Sequence, residues 1–157
     1  MRSTARFFVL CLLLACTGRG ASEPPGGTVV FVCDHGNVKS LLAASLFEQE
    51  AAARHLPVRA VARGVTPEAG VPPEAAGAFA SDGFTVTNFQ PRRASEAELR
   101  TARRVVAINL EVGTVTRPDG RPIDDWSGIP AVSENYPVAR EALRARVRTL
   151  IDALEQR

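Results

Sequence analysis

The stretch that decides the fold is TVVFVCDHGNVKS, residues 28–40. Residues 28–32 are β-branched or aromatic without interruption, which is typical of a strand buried on both faces of a parallel sheet. A polar segment with one cysteine and one glycine follows. From Ser40 to about His55 the chain is rich in Ala and Leu and lacks Gly and Pro, which predicts a helix with Ser40 as its N-cap. The stretch therefore predicts a strand, a tight loop and a helix.

Outward from this stretch, strand-like runs keep alternating with helical ones. Further strands are expected over three segments, 58–63, 104–110 and 121–124. Further helices are expected over 73–82, from Ser95 onward, and over 135–155, where apolar residues recur at spacings of three and four. The alternation predicts an α/β fold, a three-layer sandwich with a four-stranded parallel sheet and helices on both faces.

The loop between the first strand and the first helix carries the chemistry. Amide N–H groups of such a turn, together with the N-terminus of the following helix, form a cradle for a tetrahedral anion. The same positive field favours the thiolate of Cys33 at the start of the loop, and the thiolate is the nucleophilic form. Gly36 permits the unusual backbone dihedrals that a tight cradle needs. The expected ligand is therefore an oxyanion.

Over nearly all of the chain after residue 27, the sequence resembles the low-molecular-weight protein-tyrosine phosphatases and the related arsenate reductases. The family motif is an apolar strand, Cys, five residues, Arg and Ser, and here Cys33 is followed by five residues, Lys39 and Ser40. The resemblance implies that Cys33 attacks phosphorus with Lys39 in the place of the family's arginine, and that Ser40 supports the thiolate. The residues implied to bind the substrate oxygens are those of the loop, Asp34, His35, Gly36, Asn37 and Val38.

Two departures from the family pattern bear on activity. The phosphatases usually have Gly and Asn two and three places after the Cys, whereas Gly36 and Asn37 stand three and four places after it. Some arsenate reductases of the group have His two places after the Cys, as His35 does here. Lys39 replaces an arginine whose planar fork grips two oxygens, and losing one such contact costs about a hundred- to thousandfold in rate. Because Lys39 is the only lysine in a chain with 18 arginines, we interpret the replacement as selected.

A second family signature is a late loop with Asp-Pro followed by an aromatic residue, in which the Asp protonates the leaving oxygen. The segment Asp124-Asp125-Trp126 lies at about the expected distance before the last helix. By the resemblance Asp124 is the general acid, Asp125 replaces the proline, and Trp126 flanks a substrate ring. Two interacting carboxyls hold one of the pair protonated nearer to neutral pH, which suits an acid. A solvated Asp-Asp turn is the alternative.

The beginning of the chain has the features of an export signal. Basic residues precede an apolar run of about ten residues, 7–16, which is shorter than the about 20 that a membrane-spanning helix needs. The run ends in Leu-Leu-Ala-Cys and resembles the lipobox of bacterial lipoproteins, so Cys16 is expected to be the acylated first residue. An ordinary signal peptide cut near Ala15 or Ala21 is the alternative. The expected location is the bacterial periplasm or cell envelope, with a lipid anchor.

The expected division of the chain has three parts. These are a signal peptide with lipobox over 1–16, a flexible tether over 17–27, and a phosphotyrosine protein phosphatase I-like domain over 28–157.

Charge and cysteine content exclude several classes. The chain carries 19 basic and 17 acidic residues, and losing Arg2 and Arg6 with the leader leaves 17 of each, which argues against nucleic-acid or membrane binding through a basic surface. Cys33 is the only cysteine after the leader, so the domain has no internal disulfide. No metal or cofactor is expected, because neighbouring residues such as Cys33, Asp34 and His35 rarely converge on one ion.

These residues favour a phosphoric monoester hydrolase that works through a cysteinyl-phosphate intermediate and is weakened by Lys39. Two alternatives stay open: an arsenate reductase that uses an external thiol partner, and a non-catalytic domain that binds oxyanions. The expected partners are a phosphorylated or oxyanion substrate and, through the lipid anchor alone, a membrane.

Overall fold

The computed structural model describes residues 23–156. The predicted leader, the lipidation site Cys16 and most of the predicted tether lie outside these residues. Within residues 23–156, no helix combines the length and the hydropathy needed to cross a membrane. At the end of the predicted tether, the Gly26 N–H donates to the Pro57 carbonyl at 3.0 Å. The chain is therefore joined to the domain just before the first strand.

The described residues form four parallel strands and four helices. The strands are β1 (Thr28–Cys33), β2 (Arg59–Gly64), β3 (Arg104–Ile108) and β4 (Asp124–Trp126). The helices are α1 (Lys39–Ala53), α2 (Pro73–Ser81), α3 (Glu96–Thr101) and α4 (Tyr136–Glu155). The strand order is β2-β1-β3-β4, with every pairing parallel. The predicted four-stranded parallel sheet is confirmed.

The sheet separates two cores of unequal size. On one face Phe31 packs with buried side chains of α1, α2 and α4, among them Phe47 and Leu143. On the other face Val32 packs against α3 through Leu99. Because successive strand residues point to opposite faces, β1 supplies both cores and is buried almost throughout. Helices therefore cover both faces, as predicted for a three-layer sandwich.

The start of α1 corrects one expectation. The helix begins at Lys39, and Val38 takes the N-cap position without a side-chain cap. Ser40 is the second helical residue and is fully buried. It does not cap the helix because its hydroxyl lies 3.2 Å from the sulfur of Cys33 instead.

The position of β4 corrects the expected bounds of the last strand. The strand covers Asp124–Trp126 rather than the expected segment 121–124. Pro122 has no N–H to donate to a strand ladder, so pairing starts only after it. Asp124 is thereby the first residue of a strand and not part of a late loop.

The end of β2 is tied to α3 by Glu98. The Glu98 carboxylate accepts the Ser95 N–H at 3.0 Å in a capping box, and the Arg63 Nε donates to it at 2.9 Å. Burial opposes ionisation of Glu98, but these hydrogen bonds outweigh it and lower its pKa to about 2. The ion pair holds Arg63 in place, and the next residue, Gly64, contacts the loop that follows Cys33.

Candidate functional site

Cys33 is the last residue of β1, and two groups of the loop and helix converge on its sulfur. The Gly36 N–H donates to the sulfur at 3.3 Å, and the Ser40 Oγ lies 3.2 Å from it. When the sulfur is a thiolate, the Ser40 hydroxyl donates to it as well. Both contacts then stabilise negative charge on a side chain that is 6% exposed.

The loop is held in shape by a close contact between two glycines. Gly36 has a φ of +74°, and a Cβ there would lie 2.6 Å from the Gly64 nitrogen. A Cβ on Gly64 would in turn lie 2.8 Å from the Gly36 nitrogen. Next to this contact, the Val65 N–H donates to the Cys33 carbonyl at 3.0 Å. The end of β2 thus fixes the backbone that surrounds the sulfur.

Asn37 anchors the loop to the segment after β2. Its side chain is buried and donates to Glu68 at 2.8 Å and to the Gly70 carbonyl at 2.9 Å. Glu68 also lies 3.4 Å from His35 Nδ1, and the other ring nitrogen lies 3.4 Å from Asp34. The Asn37 amide is therefore committed to positioning the loop, and Glu68 is a site residue that the sequence did not reveal.

A cavity of about 740 Å³ opens over this loop. Six of the predicted site residues line it: Cys33, Asp34, His35, Asn37, Val38 and Lys39. Gly36 and Ser40 lie behind the sulfur and shape the loop from there. Part of the wall is apolar and is formed by Pro72, Ala75, Ile108 and Val132. Lys39 forms no ion pair with another described residue, so its ammonium is available to an anion.

The structure does not bring Asp124 to this cavity. In the sheet register, Asp124 pairs with Val106 of β3, and Val106 pairs with Phe31 of β1. Asp124 is therefore aligned with a residue two positions before Cys33. Its carboxylate accepts two hydrogen bonds from the Arg104 guanidinium, one of them 2.8 Å long from Nε. This bonding raises the pKa of Arg104. The expectation that Asp124 faces the reacting atoms as a general acid is corrected, because the carboxylate is committed to Arg104.

The neighbours of Asp124 also have structural positions. Trp126 is 7% exposed, and its ring centroid lies 5.5 Å from that of Phe31, so it belongs to the core and does not flank a substrate. Asp124 and Asp125 are adjacent strand residues and point to opposite faces, so their carboxyls do not interact as a pair.

A different part of the chain after β4 reaches the cavity, and Asn109 holds it there. The Asn109 side chain donates to the Ile129 carbonyl at 2.7 Å and accepts the Ile129 N–H at 2.9 Å. Ala131, Val132 and Ser133 then line the cavity. Asn109 is the first polar residue after the β3 run, and ligands of parallel sheets gather at carboxyl ends, so this signal was available in the sequence.

Tyr136, at the start of α4, is a second lining residue that sequence reasoning missed. Its ring centroid lies 6.0 Å from that of Phe79, and its hydroxyl donates to Asp82. Burial and the Asp82 carboxylate raise the pKa of Tyr136 above its usual range, so the phenol stays neutral. Its aromatic ring adds to the apolar wall of the cavity.

The solved structures that match this fold include phosphatases and arsenate reductases. A thioredoxin-dependent arsenate reductase of Corynebacterium glutamicum matches with a TM-score of 0.66 and 22% identity, over 88% of this chain and 66% of that one. A low-molecular-weight phosphotyrosine phosphatase of Vibrio cholerae matches with a TM-score of 0.68 and 11% identity, over 82% and 97%. An arsenate reductase of Archaeoglobus fulgidus matches with a TM-score of 0.60 and 21% identity, over 79% and 98%.

No protein-family model and no curated protein matches the sequence. The chain has the fold shared by low-molecular-weight phosphatases and arsenate reductases, as the resemblance implied. Identities this low show the fold and leave the reaction to be argued from the site.

Proposed function

We propose that the protein is a phosphoric monoester hydrolase of the low-molecular-weight phosphatase type, with Cys33 as its nucleophile. The observation that carries this proposal is the sulfur of Cys33, buried at the bottom of a cavity and contacted by the Gly36 N–H and the Ser40 hydroxyl. These contacts suit a thiolate, and the start of α1 behind them suits the anionic group that it attacks.

The proposed reaction has two displacements at phosphorus. In the first, the Cys33 thiolate forms an S–P bond while the ester P–O bond breaks, and the electron pair leaves on the ester oxygen. In the second, water attacks phosphorus, the S–P bond breaks, and the sulfur leaves as a thiolate while the water proton goes to solvent. Orthophosphate is released and Cys33 is regenerated.

Lys39 is proposed to bind the phosphoryl oxygens in both steps. As a single ammonium it gives less transition-state contact than a bidentate guanidinium, so we expect slow turnover. With Asp124 paired to Arg104, the leaving oxygen has no aspartate from β4 to protonate it. We therefore expect aryl esters with acidic phenols to be the best substrates.

The size of the cavity supports an organic phosphate over arsenate. A volume of about 740 Å³ is in the range of pockets that hold drug-sized ligands, whereas a tetrahedral oxyanion fills only the loop. Reduction of arsenate would also need an external thiol to take the arsenic from Cys33, since no further cysteine lies within residues 23–156. The non-catalytic alternative predicts oxyanion binding without turnover.

The test is hydrolysis of p-nitrophenyl phosphate by the full chain, with Cys33→Ser as the inactive variant and Ser81→Ala as a matched control. Ser81 is exposed at the end of α2 and is not among the residues that line the cavity, so this control is expected to keep full activity. A phosphate adduct on Cys33, trapped by acid quench and located by mass spectrometry, is expected in the active protein. Turnover that survives Cys33→Ser would refute the proposal, and thiol-dependent arsenate reduction without phosphatase turnover would favour the reductase.

We also propose that Cys16 is acylated and anchors the protein to a membrane of the cell envelope. The support is the Leu-Leu-Ala-Cys run after basic residues. Mass spectrometry of the mature N-terminus tests it, with a diacylglyceryl mass on Cys16 expected. A mature terminus at a later residue would reject the lipid anchor.

A further inference from the structure

The cavity over Cys33 is divided by charge. At its floor lie the buried Cys33 and the half-buried Lys39, the one lysine or arginine among the described residues that line it. Around its rim stand the carboxylates of Asp34, Glu68 and Glu74. The side chains of Asp34 and Glu68 are 63% and 50% exposed. The floor therefore suits an anion, and the rim suits a cation.

No lysine or arginine among residues 23–156 pairs with the rim carboxylates, and the one basic side chain beside them is the imidazole of His35. Several carboxylates elsewhere in the domain pair with arginine, as Glu98 does with Arg63. Among residues 23–156, the only nitrogen groups found next to Asp34 or Glu68 are the Asn37 amide and the His35 imidazole. Carboxylates that outnumber the basic groups around a cavity mouth focus a negative potential there, which attracts positive groups and repels anions.

We propose that the substrate is a phosphorylated polypeptide whose residues next to the phosphorylated side chain are arginine or lysine. This inference rests on the function proposed above. The phosphoryl group reaches Lys39 and the loop amides at the floor, while the basic neighbours meet the carboxylates at the rim. Free phosphate or arsenate must pass the same rim without any compensating cation, so inorganic oxyanions are expected to bind weakly.

The experiment measures how well ligands protect Cys33 from alkylation by iodoacetamide, with the modified peptide identified by mass spectrometry. Three probes are compared on the full chain: inorganic phosphate, a phosphotyrosine peptide flanked by arginines, and the same peptide flanked by glutamates. We expect the arginine peptide to protect at a concentration at least tenfold lower than the glutamate peptide. The ratio of the two protecting concentrations, glutamate peptide over arginine peptide, is expected to shrink as ionic strength rises, because exposed charges are screened.

Charge-neutral variants locate the effect. Each of Asp34→Asn, Glu68→Gln and Glu74→Gln is expected to reduce the ratio by about two- to fivefold, the range for exposed ion pairs. Glu96→Gln removes one exposed carboxylate from α3 and is the matched control, expected to leave the ratio unchanged. Folding of each variant is checked by its thermal transition.

The outcomes separate this inference from the proposed function. Equal protection by the two peptides, or a ratio that all three rim variants leave unchanged, overturns the substrate preference while the hydrolase proposal stands. Protection by none of the probes, together with no turnover of p-nitrophenyl phosphate, overturns both.

Discussion

The carboxyl end of β1 and strand β4 both combine polar side chains with an aromatic core, but they use them in opposite ways. At the end of β1, an amide and a hydroxyl converge on the sulfur of Cys33. In β4, Asp124 is neutralised by Arg104 from the neighbouring strand. The difference follows from position, because Cys33 ends its strand and Asp124 begins its own, and only the carboxyl ends of parallel strands meet at the ligand edge.

Of the changes that distinguish the cysteine loop from β4, Lys39→Met is expected to have the largest effect, and the effect is on activity. The substitution removes the cation at the cavity floor and keeps a similar apolar stem, so kcat/KM for p-nitrophenyl phosphate should fall about a hundred- to thousandfold. The free energy of unfolding should stay nearly constant. Arg100→Met, an exposed change on α3, is the control and should keep wild-type kinetics. A Lys39→Met enzyme with normal kcat/KM would mean that the loop amides alone bind the phosphoryl group.

Gly64→Ala tests the support of the loop. The new Cβ would lie 2.8 Å from the Gly36 nitrogen, and crowding of this kind costs about 1–3 kcal/mol in the free energy of unfolding. We expect the loop to shift and Cys33 alkylation to lose its protection by phosphate.

Gly77→Ala provides the matched control for this change. Gly77 lies within α2, and nothing lies within 4 Å of the position that an added methyl group would take, so alanine should stabilise the helix by about 0.5–1 kcal/mol. Urea denaturation of both variants gives the comparison. Wild-type stability and reactivity in Gly64→Ala would show that β2 does not hold the loop.

Asp124→Asn is the direct test of β4. Because the carboxylate binds Arg104, we expect a loss of about 1 kcal/mol in stability and no change in how the rate depends on the leaving group. The measurement is kcat/KM for aryl phosphates that span a range of phenol acidity. A selective loss on esters with poor leaving groups would restore Asp124 as the acid.

The smallest effect, on the stability of the fold, is expected from the ionisation of Glu98, which binds Arg63 of β2. Its pKa in the folded protein, about 2, is below the ordinary 4.5 of the unfolded chain. The ionised form is thus the one that stabilises the fold. This contribution is complete above about pH 4.5 and is lost as the pH falls towards 2, and partial exposure keeps it to about 1 kcal/mol or less.

Urea midpoints of the wild type and Glu98→Gln, compared over this pH range, give the measurement. The difference between the two proteins should narrow as the solution becomes more acidic. A difference that stays constant down to pH 2 would contradict the assigned role of the Arg63–Glu98 pair.

The fold and the nucleophile loop were predictable because their signals are local. A continuous apolar run, a cysteine loop and a helix without Gly or Pro occupy one stretch of chain, 28–53. The alternation of strand-like and helical runs then extended this stretch to a four-stranded sandwich, which the structure confirms.

The rest of the site depends on contacts between distant segments, which spacing does not reveal. The sequence predicts Asp124 at the active site because its distance along the chain fits the family, but that distance does not fix the register of the strand. The strand also begins after Pro122, later than expected. Glu68 and Tyr136 come from segments without a motif, and only packing brings them to the cavity. Asn109 was the one residue that a rule on strand ends could have identified.

The contact between Gly36 and Gly64 also makes the cysteine loop depend on a later segment of the chain. β1 and its loop are not sufficient to hold the cradle, because the backbone that fixes Gly36 belongs to β2, which follows α1 in the chain and pairs with β1. A nascent chain that ends before residue 64 therefore lacks the contact that fixes Gly36 beside the sulfur. The sulfur acquires its hydrogen-bonded setting only when the β1-α1-β2 unit is complete, so nucleophilic chemistry begins as a property of the folded unit.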